Sequence, residues 1–427
     1  MIPYRGTPSL VAAALLVLLA VPLAAAPALG PQVQVNVSTL DTNANPQVAA
    51  FPDGGFVVVW QATAKTGAKP VVFHARSFAP DGSPAGGEFL LVRPEPASDY
   101  SFLDGVAAIG NGRFVVAWEQ LRPVAPAIGH VFMQVFSRAG TALTGPVTPH
   151  GPSPAYYADA TLTVGADGRI AILWAAIGLA PYPGPCATNV YARIFSPRLT
   201  PLTEVLTVDL GSDSDCSGPL PDAVALGADD AIVSALTYWG SAVDVYVVRI
   251  AKDGSRLPVD TECPYGVSCA APATYDASLA LAPDGGYEVV WDEQPQFYPI
   301  TLPPGMPYPA LPISGRRFAA DGTSAQGEPI NQSLPGTLAV PKLAWLPAAQ
   351  SFVAIWIAEA KRDGVGTGIY GRVLGLAGTP EGSDFRISRS SAPGQDSPNL
   401  AAGNHGAVAV WMAEGRSTIY ARRIVVQ

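Results

Sequence analysis

One motif recurs along the chain and limits what it can become. It is clearest in NPQVAAFPDGGFVVVW, which ends at Trp60 and is followed by VFHARSF, the turn segment APDGSPAGG and EFLLV. The motif returns as DGVAAIGNGRFVVAW, DATLTVGADGRIAILW and DASLALAPDGGYEVVW, and more loosely before Trp356 and Trp411. A degenerate copy, DAVALGADDAIVSAL, carries Leu236 in the tryptophan position. The anchors Trp60, Trp118, Trp174, Leu236, Trp291, Trp356 and Trp411 thus define seven copies spaced by 55 to 65 residues. A repeat of this length marks a chain built from stacked supersecondary units that share one continuous core.

Each copy implies four short strands. The second, as in Phe56 to Trp60, is apolar at consecutive positions, so both of its faces need cover. Stacking each small sheet between two others supplies that cover. The third recurs as VFHARSF, VYARIF, ISGRRF, IYGRVL and IYARRI. In three copies it leads to Asp81-Gly82, Asp253-Gly254 or Asp321-Gly322, pairs that favour a type I′ hairpin because both central residues take positive φ. The last copy ends at IYARRIVVQ with no fourth strand, while GPQVQVNVS near the N-terminus has the fourth-strand pattern of GGEFLLVRP and GSDFRISRS. Residues Gln32 to Asn36 are therefore expected to complete the seventh unit and leave no open sheet edge. The expected fold class is all-β, a seven-bladed β-propeller of four-stranded antiparallel blades whose last blade is closed by the N-terminal strand.

Composition agrees with many short buried strands and tight turns: 43 Gly, 43 Pro, 48% hydrophobic and only 14% charged residues. A net charge of -9 argues against nucleic acid as a partner. The first residues carry Arg5, an apolar run from Leu10 to Leu23 and small residues at Ala24, Ala26 and Ala28, the pattern of a secretory signal peptide. The expected division is a signal peptide over 1–28 and one propeller domain over 29–427. The apolar run is short for a membrane span, and no later stretch reaches eighteen unbroken apolar residues. The mature protein is expected to be secreted, periplasmic or at the cell surface, with no membrane span, and monomeric.

The repeat resembles one found in many bacterial secreted and surface proteins, including RTX-type and adhesin-like chains, in its succession of PDGGFVVVW, an IYARRF-like third strand, a DG turn and GEFxV. The resemblance covers nearly the whole mature chain and is strongest over 45–92 and 276–331. It implies a scaffold and brings no catalytic residues. The Asp-box of sialidases and the GGxGxD nonapeptides of RTX domains do not occur in the chain.

Arg76, Arg193, Arg316, Arg372 and Arg422 share one third-strand position and are expected to bridge the carboxylates of the turn between strands one and two, such as Asp53, Asp167 and Asp284. The second copy has neutral Asn111 and Gln134 at both places, and partners of a partly buried ion pair tend to be lost together. Near the start of the innermost strands lie Asn45, Asp104, Asp159, Asp222 and Asp276. Asp104, Asp159, Asp222 and Asp276 can converge on one mouth of the channel as oxygen ligands for Ca²⁺, the only cofactor the sequence suggests. The alternative is that they cap the turn entering each strand.

Strand alternation sends the loops after the anchors and those between copies to one face. These vary most in length, as in AAIGLAPYPGPCATN and DEQPQFYPITLPPGMPYPALP, and scaffolds carry function on such loops. Tyr182, Phe297, Tyr298, Tyr308 and Trp239, with Tyr156 and Tyr157 nearby, are candidate ligand-binding residues, because rigid rings bury area at low entropic cost. Cys186 with Cys216 and Cys263 with Cys269 are expected to form disulfides on the same face of an exported chain. No HExxH pair, GxSxG elbow or phosphate loop is present. No catalytic residue is assigned, although Glu119, Asp292 and Glu293 follow anchors and can serve as acid and base. The expected function is a binding module for a glycan or protein on the loop face. A structural or adhesive surface protein and a polysaccharide-active hydrolase or lyase are the alternatives.

Overall fold

The computed structural model describes residues 26–38, 41–64, 71–94, 100–122, 128–151, 156–177, 188–210, 218–239, 243–260, 273–294, 312–324, 327–332, 338–360, 366–389, 394–413, 415 and 417–426. The chain is all-β. Strand β1 (Ala28–Gln34) precedes a first group of β2 (Asp41–Ala50), β3 (Phe56–Ala64), β4 (Val72–Phe78) and β5 (Phe89–Val92). The second is β6 (Tyr100–Gly110), β7 (Arg113–Arg122) and β8 (Ile128–Ser137); the third is β9 (Tyr156–Val164), β10 (Ile170–Ile177), β11 (Thr188–Phe195) and β12 (Leu206–Leu210). The fourth is β13 (Gly218–Leu226), β14 (Ile232–Trp239), β15 (Val243–Ile250) and β16 (Arg256–Leu257). The fifth is β17 (Ala273–Leu281), β18 (Tyr287–Gln294), β19 (Ile313–Phe318) and β20 (Glu328–Pro329). The sixth is β21 (Leu338–Leu346), β22 (Ser351–Ala360), β23 (Gly366–Leu374) and β24 (Pro380–Arg386), and the last is β25 (Asp396–Gly403), β26 (Gly406–Ala413) and β27 (Thr418–Val425).

Within each group the strands run antiparallel in chain order, and among the described residues they form six hydrogen-bonded sheets. One sheet unites the second and third groups through a single parallel bridge, Gly129 to Tyr156. The first strands of the groups pack in sequence, β2 on β6, then β9, β13, β17, β21 and β25, and β25 packs back on β2. Apolar clusters fill the spaces between neighbouring groups: Val57 and Phe73 meet Val116 and Trp118, and Val48 and Trp60 meet Val410 and Ala421. The anchors are the largest pieces of this core. Trp60, Trp174, Trp356 and Leu236 are fully buried and Trp118 is 3% exposed, and replacing such an indole by alanine costs about 3–5 kcal/mol.

The N-terminal strand pairs antiparallel with β27, from Ala28 opposite Val425 to Gln34 opposite Tyr420. It begins four residues earlier than the expected Gln32, and Val35 N–H still bonds Ile419 O at 2.8 Å. Asn36 follows as a side-chain link, accepting the Ile419 N–H at 2.7 Å.

Two local expectations need correction. The Asp-Gly turns are not type I′, since only the glycine takes positive φ, +87° at Gly82. Gly82 N–H bonds Ala79 O and Ala79 N–H bonds Ser83 O, a type I turn followed by a left-handed residue. Asp81 Oδ1 accepts from Ser83 N at 2.8 Å and Ser83 Oγ at 2.6 Å, so its role is an Asx-turn.

Four of the recurrent arginines, Arg76, Arg193, Arg372 and Arg422, do not bridge the turn aspartates. Arg76 donates to Gly86 O and Val35 O, Arg193 to Thr203 O and Pro149 O, and Arg422 to Gly30 O and Ile387 O. Arg372 likewise reaches Gly382 O and Ile330 O, with Asp384 at 3.7 Å. Each of these four guanidinium groups therefore ties the segment at or just before the fourth strand of its own group to the last stretch of the preceding one. Its five donors suit several carbonyls at once, and Gln134 replaces one of those bonds by donating to Thr144 O. Asp53 instead pairs with Arg138, Asp167 with Arg169 and Asp284 with Arg317.

Candidate functional site

Every first strand carries one extra residue opposite the anchor of its group. Asn45-Pro46 face Trp60, Leu103-Asp104 face Trp118, Asp159-Ala160 face Trp174 and Pro221-Asp222 face Leu236. Asp276-Ala277, Val340-Pro341 and Ser397-Pro398 repeat the bulge opposite Trp291, Trp356 and Trp411. Five of the bulged residues take positive φ, namely Asn45, Asp159, Asp276, Val340 and Ser397. Asn and Asp tolerate that region better than other side-chain-bearing residues. The recurrent Asn and Asp are thus bulge residues inside the strand, not caps at its entry. Their different register in the sequence reflects which member of the bulge they occupy.

The bulges surround a central cavity of about 490 Å³ lined by residues of β2, β6, β9, β13, β17, β21 and β25. Beside it, sharing Asn45 and Asp104, lies a second cavity of about 370 Å³ between the second and third groups. Its polar wall is Asp104 from the bulge of β6, Glu119 directly after Trp118 on β7, and Asp159 and Tyr156 from β9. Leu103, Leu121, Ala158 and Ile177 form the apolar wall, and Phe102, 42% exposed, stands at its edge. The Gly129 bridge draws β8 against the start of β9; a Cβ at Gly129 would lie 2.6 Å from Tyr157 O, so only glycine permits the approach that positions Tyr156.

Electrostatics set this cavity apart. Glu119 is 6% exposed and its Oε2 accepts the Asp159 backbone N–H at 2.8 Å. Burial and then the Asp159 charge push it up to about 7, against that hydrogen bond. Burial raises Asp104 well above the usual carboxylate range, with Glu119 and Asp159 adding to the effect. Asp159 is open at the rim, yet the protein crowding its carboxyl displaces enough water to raise it too. Tyr156 rises through burial and the same two carboxylates. Asp104 Oδ2 is buried with no hydrogen-bond partner among the described residues. Carboxyls held near neutrality in a concavity are a feature of functional sites.

The other expected residues are placed differently. Asp222 is satisfied by Thr237 Oγ1 at 2.5 Å, and burial still lifts it to about 7 despite that bond. Asp276 is exposed, Asp292 is fully buried, and Glu293 accepts from Ser314 Oγ at 2.5 Å. Among the described residues no group of three or more His, Cys, Asp or Glu is placed to hold a metal ion. Tyr182, Phe297, Tyr298, Tyr308 and all four cysteines, Cys186, Cys216, Cys263 and Cys269, lie outside the described residues, as does the Trp239 side chain. No described helix is long and apolar enough to cross a membrane. Asp104, Asp159 and Glu119 are each conspicuous in the sequence. Their meeting is not, and Phe102 carries no signal beyond its place two residues before Asp104.

No family model and no curated protein matches the chain. Among solved structures, it is similar to a protein of unknown function from Dyadobacter fermentans, at 13% identity and a TM-score of 0.50, covering 94% of this chain and 99% of that one. That likeness extends to the fold alone. The GH93 α-L-arabinofuranosidase of Fusarium graminearum, solved with arabinobiose, gives 11% identity and a TM-score of 0.49 over 93% and 98% of the two chains. The NanB sialidase from Streptococcus pneumoniae gives 7% and 0.47 over 92% and 70%.

Proposed function

We propose that the chain is an exported seven-bladed β-propeller that binds a glycan in the cavity between its second and third blades. The ring is supported by the packing order of the first strands, which returns to its start, and by β1 completing the sheet of β25 to β27. The single bridge between β8 and β9 joins two blades at their rims and leaves each with its own anchor, Trp118 and Trp174. Export follows from the signal-like first residues and from the resemblance of the repeat to those of bacterial secreted and surface proteins.

The observation that carries the binding reading is the pairing, in one cavity of about 370 Å³, of buried carboxyls with an exposed aromatic ring and an apolar wall. A volume of that size falls within the range of small-ligand sites, roughly 300–1,000 Å³. Sugars present hydroxyls for carboxyl groups and C–H faces for aromatic rings, so both walls find a use. A hydrolase is the second reading, favoured by one observation: Glu119, held at about 7, is suited to give and take a proton beside a second carboxyl.

A glycan array probed with the purified chain tests the proposal. Glycan binding is expected, weakened about tenfold or more by Phe102→Ala or Glu119→Gln with the melting temperature unchanged by the Phe102 substitution. If no glycan is retained by the folded wild-type chain, the proposal fails. Reducing-end release from a bound glycan, lost in Glu119→Gln, would move the assignment to the hydrolase.

A further inference from the structure

We propose that the glycan bound between β6, β7 and β9 carries a primary ammonium, so that the ligand class is a polysaccharide with free amino sugars; this rests on the glycan reading. The described side chains lining the cavity include Asp104, Glu119 and Asp159 and no Lys, Arg or His. An anionic sugar would meet only like charge there. A neutral one would leave the raised carboxyls holding their protons, whereas a cation gives their ionised form a partner.

A comparison within the molecule separates structural need from surplus charge. In the first two groups the residue after the anchor reaches the first strand of the next group, and in the first of them it is Gln61, whose Oε1 accepts Leu103 N–H at 3.1 Å. In the second group Glu119 makes the corresponding bond to Asp159 N–H at 2.8 Å. A neutral amide performs this task in one place, so the charge of Glu119 exceeds what holding two groups together requires. Asp104 gives a second, independent sign, because its Oδ2 is buried and accepts no hydrogen bond among the described residues. An ammonium group, with three donors and a positive charge, satisfies both oxygens at once. Leu103, Leu121, Ala158 and Ile177 give the body of the sugar ring an apolar seat. Phe102 stands at the edge of the same cavity, where an aromatic face attracts a cation.

Calorimetry on the full chain at pH 7 and low salt, with oligomers of glucosamine, N-acetylglucosamine and glucose, tests the inference. The glucosamine oligomer is expected to bind at least about tenfold tighter than the other two and to release protons on binding, since a cation drives the raised carboxyls to ionise. Glu119→Gln and Asp104→Asn should each weaken that binding by about tenfold or more. Asp104→Asn removes a carboxylate that lacks a donor, so it keeps the test open if the Glu119 variant folds poorly. Equal binding of acetylated and free-amine oligomers overturns the inference and leaves the glycan reading in place. If neither these oligomers nor any glycan on the array binds, both fall.

Discussion

Two sites around the central cavity are built on the same bulge and differ in how their carboxyls are satisfied. Between β13 and β14, Asp222 receives the Thr237 hydroxyl at 2.5 Å, and nearby Asp244 receives that of Thr274 at 2.9 Å. Lys342 also faces Asp222 and lowers it, although burial dominates. Between β6, β7 and β9 no hydroxyl reaches Asp104 Oδ2 among the described residues, and Glu119 takes only a backbone N–H. Thr237 and Glu119 hold the same place after their anchors. One site supplies its carboxyl with a local hydroxyl donor; the other leaves Asp104 Oδ2 without one among the described residues, the opening that the proposed ligand would fill.

The widest divergence is expected with pH. Glu119 is raised in the folded chain from an ordinary 4.5 to about 7, so its proton is held more tightly folded than unfolded. The stability this confers is complete below about 4.5 and is lost as the pH rises through about 7, a loss of about 3 kcal/mol for a shift of this size. Denaturant melts between pH 4 and pH 9 should show that decline, and Glu119→Gln should remove its share while keeping the acceptor for Asp159 N–H. An unchanged slope in the variant would place the titration elsewhere.

Next in size is the effect at Asp222. Thr237→Val takes away the donor to Asp222 and should cost about 1–3 kcal/mol above pH 7, where the carboxylate is ionised, and less below it. Chemical unfolding at pH 8 and pH 5 separates the two regimes. If the loss is the same at both, the hydroxyl serves packing and the contrast between the two sites weakens.

The smallest effect concerns the bulge that both sites share. Val340 sits at φ +53°, where a β-branched residue is strained, while Asn45 occupies the matching place before Pro46 at φ +48°. Val340→Asn should therefore stabilise by about 1 kcal/mol, read as a rise in melting temperature. A fall would mean that backbone demand does not explain why Asn and Asp recur at these positions.

Much of the architecture was legible in residue order. The anchors from Trp60 to Trp411, including Leu236, are buried where the repeat puts them, and the strand expected to pair with the last group does so over Ala28–Gln34. The Arg76 and Asp53 series was misread because both recur at fixed places, yet recurrence does not reveal which partner lies across a group boundary. Arg76 meets Val35, 41 residues away, and Asp53 meets Arg138, 85 residues away. The candidate site was legible only as separate residues: Asp104 and Asp159 as recurrent carboxylates, Glu119 as a residue following an anchor.

By itself, then, the sequence determined the all-β class, the strand grouping and the turn positions, because runs of apolar residues and Asp-Gly pairs act over a few residues and the anchors repeat along the chain. Tertiary structure alone decided which charges meet. Asp104, Glu119, Asp159 and Phe102 come from three strands, and their convergence depends on the packing of one group against the next and on the Gly129 bridge that draws β8 against β9. Such partners are set by through-space distance in a low-dielectric interior, a quantity that residue order does not encode locally.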